Sequence, residues 1–131
     1  ARKPRTNTEM HMAETGETGL DPTSEEVMEA AGALVEALPA LAIALARSEV
    51  GNAVAAVAAE YGIHPKDRMI TNVRLLKEKG YIDPGFKSQL EEVRILGNKA
   101  FYAPGAPLLT AADAKKYLYL SERVLRSLKE L

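Results

Sequence analysis

Leu38-Pro39-Ala40-Leu41-Ala42-Ile43-Ala44-Leu45-Ala46-Arg47-Ser48-Glu49-Val50-Gly51-Asn52-Ala53-Val54 is the stretch that decides the fold class. Its first half is apolar on every side when wound as a helix, and such a helix must be surrounded by other elements. Pro39 lacks an N–H and its ring meets the carbonyl one turn back, so a helix arriving from upstream ends or kinks there. The same residue is well suited to the first position of a new helix. A break is therefore expected near Leu38, with a second helix from Pro39 to about Tyr61, where Gly62 stops it. Arg47, Glu49 and Asn52 stand out in so apolar a segment, because an unpaired polar group is costly to bury. By helical phase Glu49 and Asn52 share one side and Arg47 lies opposite. Two arrangements remain open: a polar network across the second and fourth helices or a dimer interface, or side chains that simply reach solvent.

Upstream, Thr23-Ser24-Glu25-Glu26 has the spacing of a capping box, and Val27, Ala31, Leu34 and Leu38 recur with a helical period. Residues 1–22 read as a disordered tail. Ala1 to Met10 is basic and polar, His11-Met12 resembles a cloning junction, and residues 1–11 are read as vector-derived with Met12 as the native start. Ala13 to Asp21 offers almost nothing to bury. Downstream, His64-Pro65 is expected to open a third helix with Ile70, Val73 and Leu76 on its buried stripe, and Gly80 to end it. Asp83 is the expected N-cap of a fourth helix running to about Phe101, with Phe86, Leu90, Val93, Gly97 and Ala100 on its apolar face. Ala103-Pro104-Gly105-Ala106-Pro107 is a loop. Thr110 and Asp113 cap a last helix carrying Ala114, Tyr117, Leu118, Ser121, Val124, Leu125 and Leu128. No segment alternates with period two, so no strand is expected. The fold class is all-α: an antiparallel bundle of four to five helices over residues 23–131.

Composition narrows the function. The net charge is −1, and a general nucleic-acid binder carries a clear basic excess; the balance is silent on a local patch. The absence of cysteine excludes disulfides and zinc–thiolate sites, and no cofactor or metal is implied. Leu38 to Ala46 is apolar but falls short of the roughly 20 residues of a membrane span, so a cytoplasmic protein is expected.

Among candidate sites, Glu91 to Tyr102 is the most informative. Arg94 and Asn98 lie four apart on one helix face, and Arg94 sits at the edge of the apolar stripe, where it can bury its stem and present its guanidinium to a groove. Gly97 inside a helix costs about 1 kcal/mol relative to alanine, which points to a close approach by another helix or a ligand. The plainer alternative for Arg94 is a salt bridge with Glu91 or with another helix. Glu91 and Glu92 are read as a solvated face, His64 as a loop or capping residue, and Tyr117 and Tyr119 as packing.

Two segments carry a family resemblance: Leu45 to Val54, and Leu90 to Tyr102 with its core Arg94-x-x-Gly97-Asn98-x-Ala100. With Leu75-Leu76-Lys77-Glu78-Lys79-Gly80-Tyr81-Ile82 between them, the chain from about residue 25 to 131 resembles the family called domain of unknown function 4145, a branch of the HEPN superfamily of helical nucleotide-binding domains. The resemblance implies an up-and-down bundle, frequently dimeric. Many HEPN members are metal-independent ribonucleases in which an arginine binds the scissile phosphate and a histidine, after a spacer of four to six residues, handles protons. Members of this branch also occur attached to restriction and other defence proteins. Arg94 matches the arginine, but Phe101 stands at the histidine position, and the phenol of Tyr102 is a poor base near neutral pH. The expectation is a non-catalytic HEPN-like module that acts by self-association, as a homodimer, and by binding a partner protein or domain. Val50, Val54 and the Arg94–Tyr102 face are its expected contacts; Arg47, Glu49, Asn52, Arg94, Asn98, Phe101 and Tyr102 are its binding candidates. The rival is a ribonuclease or nucleotide- or RNA-binding toxin-like enzyme using Arg94, Asn98 and Tyr102.

Overall fold

In the computed structural model five helices follow one another among the described residues: α1 (Pro22–Leu34), α2 (Pro39–Glu60), α3 (Met69–Glu78), α4 (Pro84–Tyr102) and α5 (Ala111–Lys129). The structure describes residues 20–66, 68–102 and 109–131, without the side chains of Phe101 and Tyr102. The expected disorder of residues 1–19 and the expected loop at 103–107 lie outside them. Among the described residues there is no strand, and the chain is the all-α antiparallel bundle its periodicity predicts.

Helix α2 is the axis. It packs on each of the other four helices, while α1, α5, α4 and α3 touch in that order around it and α1 and α3 do not meet. Ala42, Ile43, Ala46, Val50, Val54, Val57 and Ala58 are its buried residues of apolar type. Alanines at Ala42, Ala46 and Ala58 are wholly enclosed, allowing neighbouring helices to approach closely. By length and hydropathy alone Pro39–Glu60 could cross a membrane, which corrects the expectation that no apolar run comes near a span. Here that apolarity is used against four surrounding helices.

The helix ends follow from the local sequence with three corrections. Pro39 starts α2 after Leu38 leaves the helical conformation (φ −139°, ψ 68°), Gly62 and Gly80 follow α2 and α3 with φ of 76° and 81°, and Thr110 and Asp113 form a reciprocal capping box on α5. First, α1 begins earlier than the Thr23 box allows. Asp21 is the N-cap, its carboxylate accepting from the Ser24 N–H at 3.0 Å, and Leu20 is buried at 1% exposure, so order reaches back through residues first assigned to the tail. Second, the inward face of α1 is Ser24, Met28 and Ala31, with Val35 just beyond it; of the expected stripe Ala31 is fully buried and Leu34 packs partly buried on the core, whereas Met28 and Val35 replace Val27 and Leu38 as the buried residues and Leu38 is 51% exposed. Third, α3 does not open at Pro65. The buried Asn72 side chain accepts from the Lys66 N–H at 2.7 Å and donates to the Lys66 carbonyl at 2.9 Å. Those two bonds satisfy the backbone there as a loop, and the helix starts at Met69.

Candidate functional site: a cationic cleft

The loop held by Asn72 forms one wall of a cleft of about 440 Å3 between α2, α4 and the start of α3. This lies within the range of small-molecule sites, ~300–1,000 Å3. Arg47, Ser48, Gly51, Asn52 and Ala55 line it from α2; Arg94 and Asn98 line it from α4; Lys66, Arg68, Met69, Ile70 and Asn72 close the third side. Four of these are cations. Among the described residues none of the four is in an ion pair, and no described residue lining the cleft is acidic.

The three segments bring their cations to the cleft in different ways. The Arg47 stem crosses α4 at Gly97: a Cβ on that glycine would stand 2.8 Å from Arg47 Cγ and 2.5 Å from the Tyr117 hydroxyl oxygen. The close approach expected at Gly97 is thus made by side chains of two neighbouring helices. At the end of that stem, Arg47 Nε donates to Asn98 Oδ1 at 2.8 Å. Arg94, one turn before Asn98, is half-buried. Its Nε is enclosed and meets no acceptor. The plainer reading, a salt bridge with Glu91 or with another helix, is not what the structure shows: among the described residues Arg94 makes no ion pair, and Glu91 pairs with Lys87 at 3.0 Å. Lys66 and Arg68 are exposed at the cleft rim, carried by the loop that Asn72 fixes. Arg68 is also the N-cap of α3 and makes no side-chain cap bond. The positive end of that helix therefore adds to the same field.

Tyr117 braces the floor. Its hydroxyl donates to the Val93 carbonyl at 2.6 Å, tying α5 to α4 beside Gly97. Burial pushes the phenol well above its ordinary value, against the opposing pull of the Arg47 guanidinium.

Of the sequence candidates, Arg47, Asn52, Arg94 and Asn98 come together here and Glu49 does not. Glu49 turns to α1, where Ser24 Oγ donates to its Oε2 at 2.6 Å in a buried pair. The helical phase holds along the unbroken α2: Arg47 and Asn52 mark the two edges of its wide cleft-facing arc, and Glu49 lies beyond the Asn52 edge. Arg47 and Asn98 do link the second and fourth helices, one of the two arrangements left open. The side chains of Phe101 and Tyr102 lie outside the described residues. Val50 and Val54, expected as partner contacts, are fully buried in the core and cannot touch another chain. Tyr119, expected to pack, is 63% exposed with Arg123 over its ring. Sequence reasoning missed Lys66, Arg68 and Asn72; a Lys and an Arg flanking Asp67 before a helix carry no pattern that separates them from an ordinary solvated turn.

No family model matches the chain, and neither a curated protein nor a solved structure does.

Proposed function

We propose that this domain is a non-catalytic helical binding module and that its cleft takes a phosphate-bearing ligand. One observation carries the reading: four cationic side chains from three separate segments line one cleft, and among the described residues none is neutralised by a carboxylate. Like charges brought together destabilise one another, and an anion offsets that repulsion. Guanidinium forks match phosphoryl oxygens two at a time. The resemblance to HEPN-like domains points the same way through Arg94. Binding is favoured over turnover because no described residue lining the cleft is a histidine or carboxylate that could move a proton near neutral pH. The test is amide chemical-shift mapping by NMR on titration with inorganic phosphate. Shifts concentrated at residues 47–55, 66–72 and 94–98 support the site; shifts scattered over the surface, or none, remove it.

Self-association, as a homodimer or with a partner domain, is a second reading. It draws on Ile95 and Leu96, adjacent and both more than two-fifths exposed on α4, and on Leu41 of α2 at 43% exposure. Light scattering after size-exclusion chromatography tests it, with a dimer dispersed by Ile95→Lys as the supporting result and a monomer at every concentration as the opposing one.

A further inference from the structure

We infer that the ligand presents two adjacent phosphoryl groups, a diphosphate unit gripped at its phosphates with the rest of the molecule left outside the cleft. This rests on the phosphoryl-binding reading above and narrows it.

The charge count comes first. The cations fall into two pairs on different elements: Arg47 and Arg94 on the facing helices α2 and α4, and Lys66 and Arg68 on the loop before α3. A single phosphoryl group carries about −1.5 to −2 near neutral pH, enough for one pair. A second adjacent group answers the other pair. An internal phosphate of a nucleic-acid strand carries one charge only, and its neighbour is separated by a sugar.

The second argument is rigidity. Arg47 is fixed at both ends of its stem, by Gly97 beneath it and by Asn98 at its Nε. The loop that bears the other pair is pinned through the Lys66 backbone by the nearly fully buried Asn72. Cations carried on a fixed stem and a pinned backbone favour a compact ligand over a diffuse polyanion, because less ordering remains to be done on binding.

The third argument is what the walls lack. No described residue lining the cleft is aromatic. Proteins that hold unpaired bases do so largely by stacking them on aromatic rings. A nucleoside attached to the diphosphate would therefore gain little here.

Isothermal titration calorimetry on the full chain at fixed ionic strength separates the possibilities, with inorganic pyrophosphate, orthophosphate, ADP, AMP and a short single-stranded RNA as probes. Pyrophosphate and ADP should bind within about threefold of one another, and each about tenfold or more tighter than orthophosphate and AMP. Arg94→Met and the exposed pair Lys66→Ala/Arg68→Ala should each weaken pyrophosphate by about tenfold or more; the exposed pair leaves the core untouched, so its loss is not a folding failure. Orthophosphate binding as tightly as pyrophosphate overturns the diphosphate inference and leaves the phosphoryl site standing. So does RNA binding more tightly than pyrophosphate. ADP far tighter than pyrophosphate overturns the exclusion of the base. Absence of binding by every probe removes the site itself.

Discussion

The side chain of Arg47 lies directly over Gly97, its Cγ and Cδ within 2.8 and 2.9 Å of where a Cβ would stand. A glycine in mid-helix is thus the condition for an arginine of the central helix to cross its neighbour and reach the cleft. Gly97→Ala pits two effects against each other. Alanine gains about 1 kcal/mol of helix propensity, whereas overpacking a core position costs about 1–3 kcal/mol. The nearest atom is the Tyr117 hydroxyl, anchored on Val93 and unable to swing away, so overpacking wins. Denaturant unfolding should show a net loss of roughly 1 kcal/mol, together with weaker phosphate binding as Arg47 leaves Asn98.

Tyr117→Phe removes the hydroxyl that joins α5 to α4 and should cost about 1 kcal/mol near neutral pH. Its pH dependence has a defined sign. Burial raises the phenol above its ordinary value of 10.0 in the folded state. Above that pH the unfolded chain releases a proton that the folded chain keeps. Stability contributed by Tyr117 is therefore complete below pH 10 and is lost as pH rises, at up to about 1.4 kcal/mol per unit. Unfolding midpoints measured from pH 8 to 11 should converge for the wild type and Tyr117→Phe above pH 10; a constant gap would contradict the assignment.

Ser24→Ala leaves the buried Glu49 carboxylate without its 2.6 Å donor. A hydrogen bond to a charged group is worth about 1.5–3 kcal/mol, and thermal unfolding should register a loss of that order. Replacing both partners, as in Ser24→Ala with Glu49→Met, should cost less than the two single changes summed, because no orphaned charge remains. This pair lies away from the cleft, so phosphate affinity should not move.

Asn72→Ala should act on both stability and binding. Two hydrogen bonds to the Lys66 backbone disappear from a residue that is 2% exposed, a loss of about 2 kcal/mol. The freed loop no longer presents Lys66 and Arg68, and phosphate affinity should fall even though Asn72 itself is uncharged.

The architecture was largely legible because helices announce themselves locally. Pro39, Gly62, Gly80 and Thr110 mark ends that depend on a few neighbouring atoms, and the seven inward residues of α5 follow directly from its period. The start of α3 was not legible, since Pro65 is a good first helical residue and only a side chain six positions on, Asn72, diverts the backbone. The cleft was half legible. Arg94, Gly97 and Asn98 stood out by spacing on one helix, but the convergence of Arg47, Lys66 and Arg68 upon them is a property of packing between helices. A net charge of −1 concealed it, because a sum over the whole chain does not show which cations packing brings together.

The most direct test of the central claim is the melting temperature of the wild type and of Arg94→Met as inorganic phosphate replaces chloride at constant ionic strength. An uncompensated guanidinium with an enclosed, partnerless Nε is a burden of about 1–3 kcal/mol without ligand. Arg94→Met should therefore melt at the same temperature as the wild type or higher in chloride, and should not respond to phosphate. The wild type should rise steadily, gaining about 2.7 kcal/mol at a hundred times its dissociation constant. Equal responses in the two proteins, or an Arg94→Met that melts lower in chloride, would contradict the account and make Arg94 a structural residue.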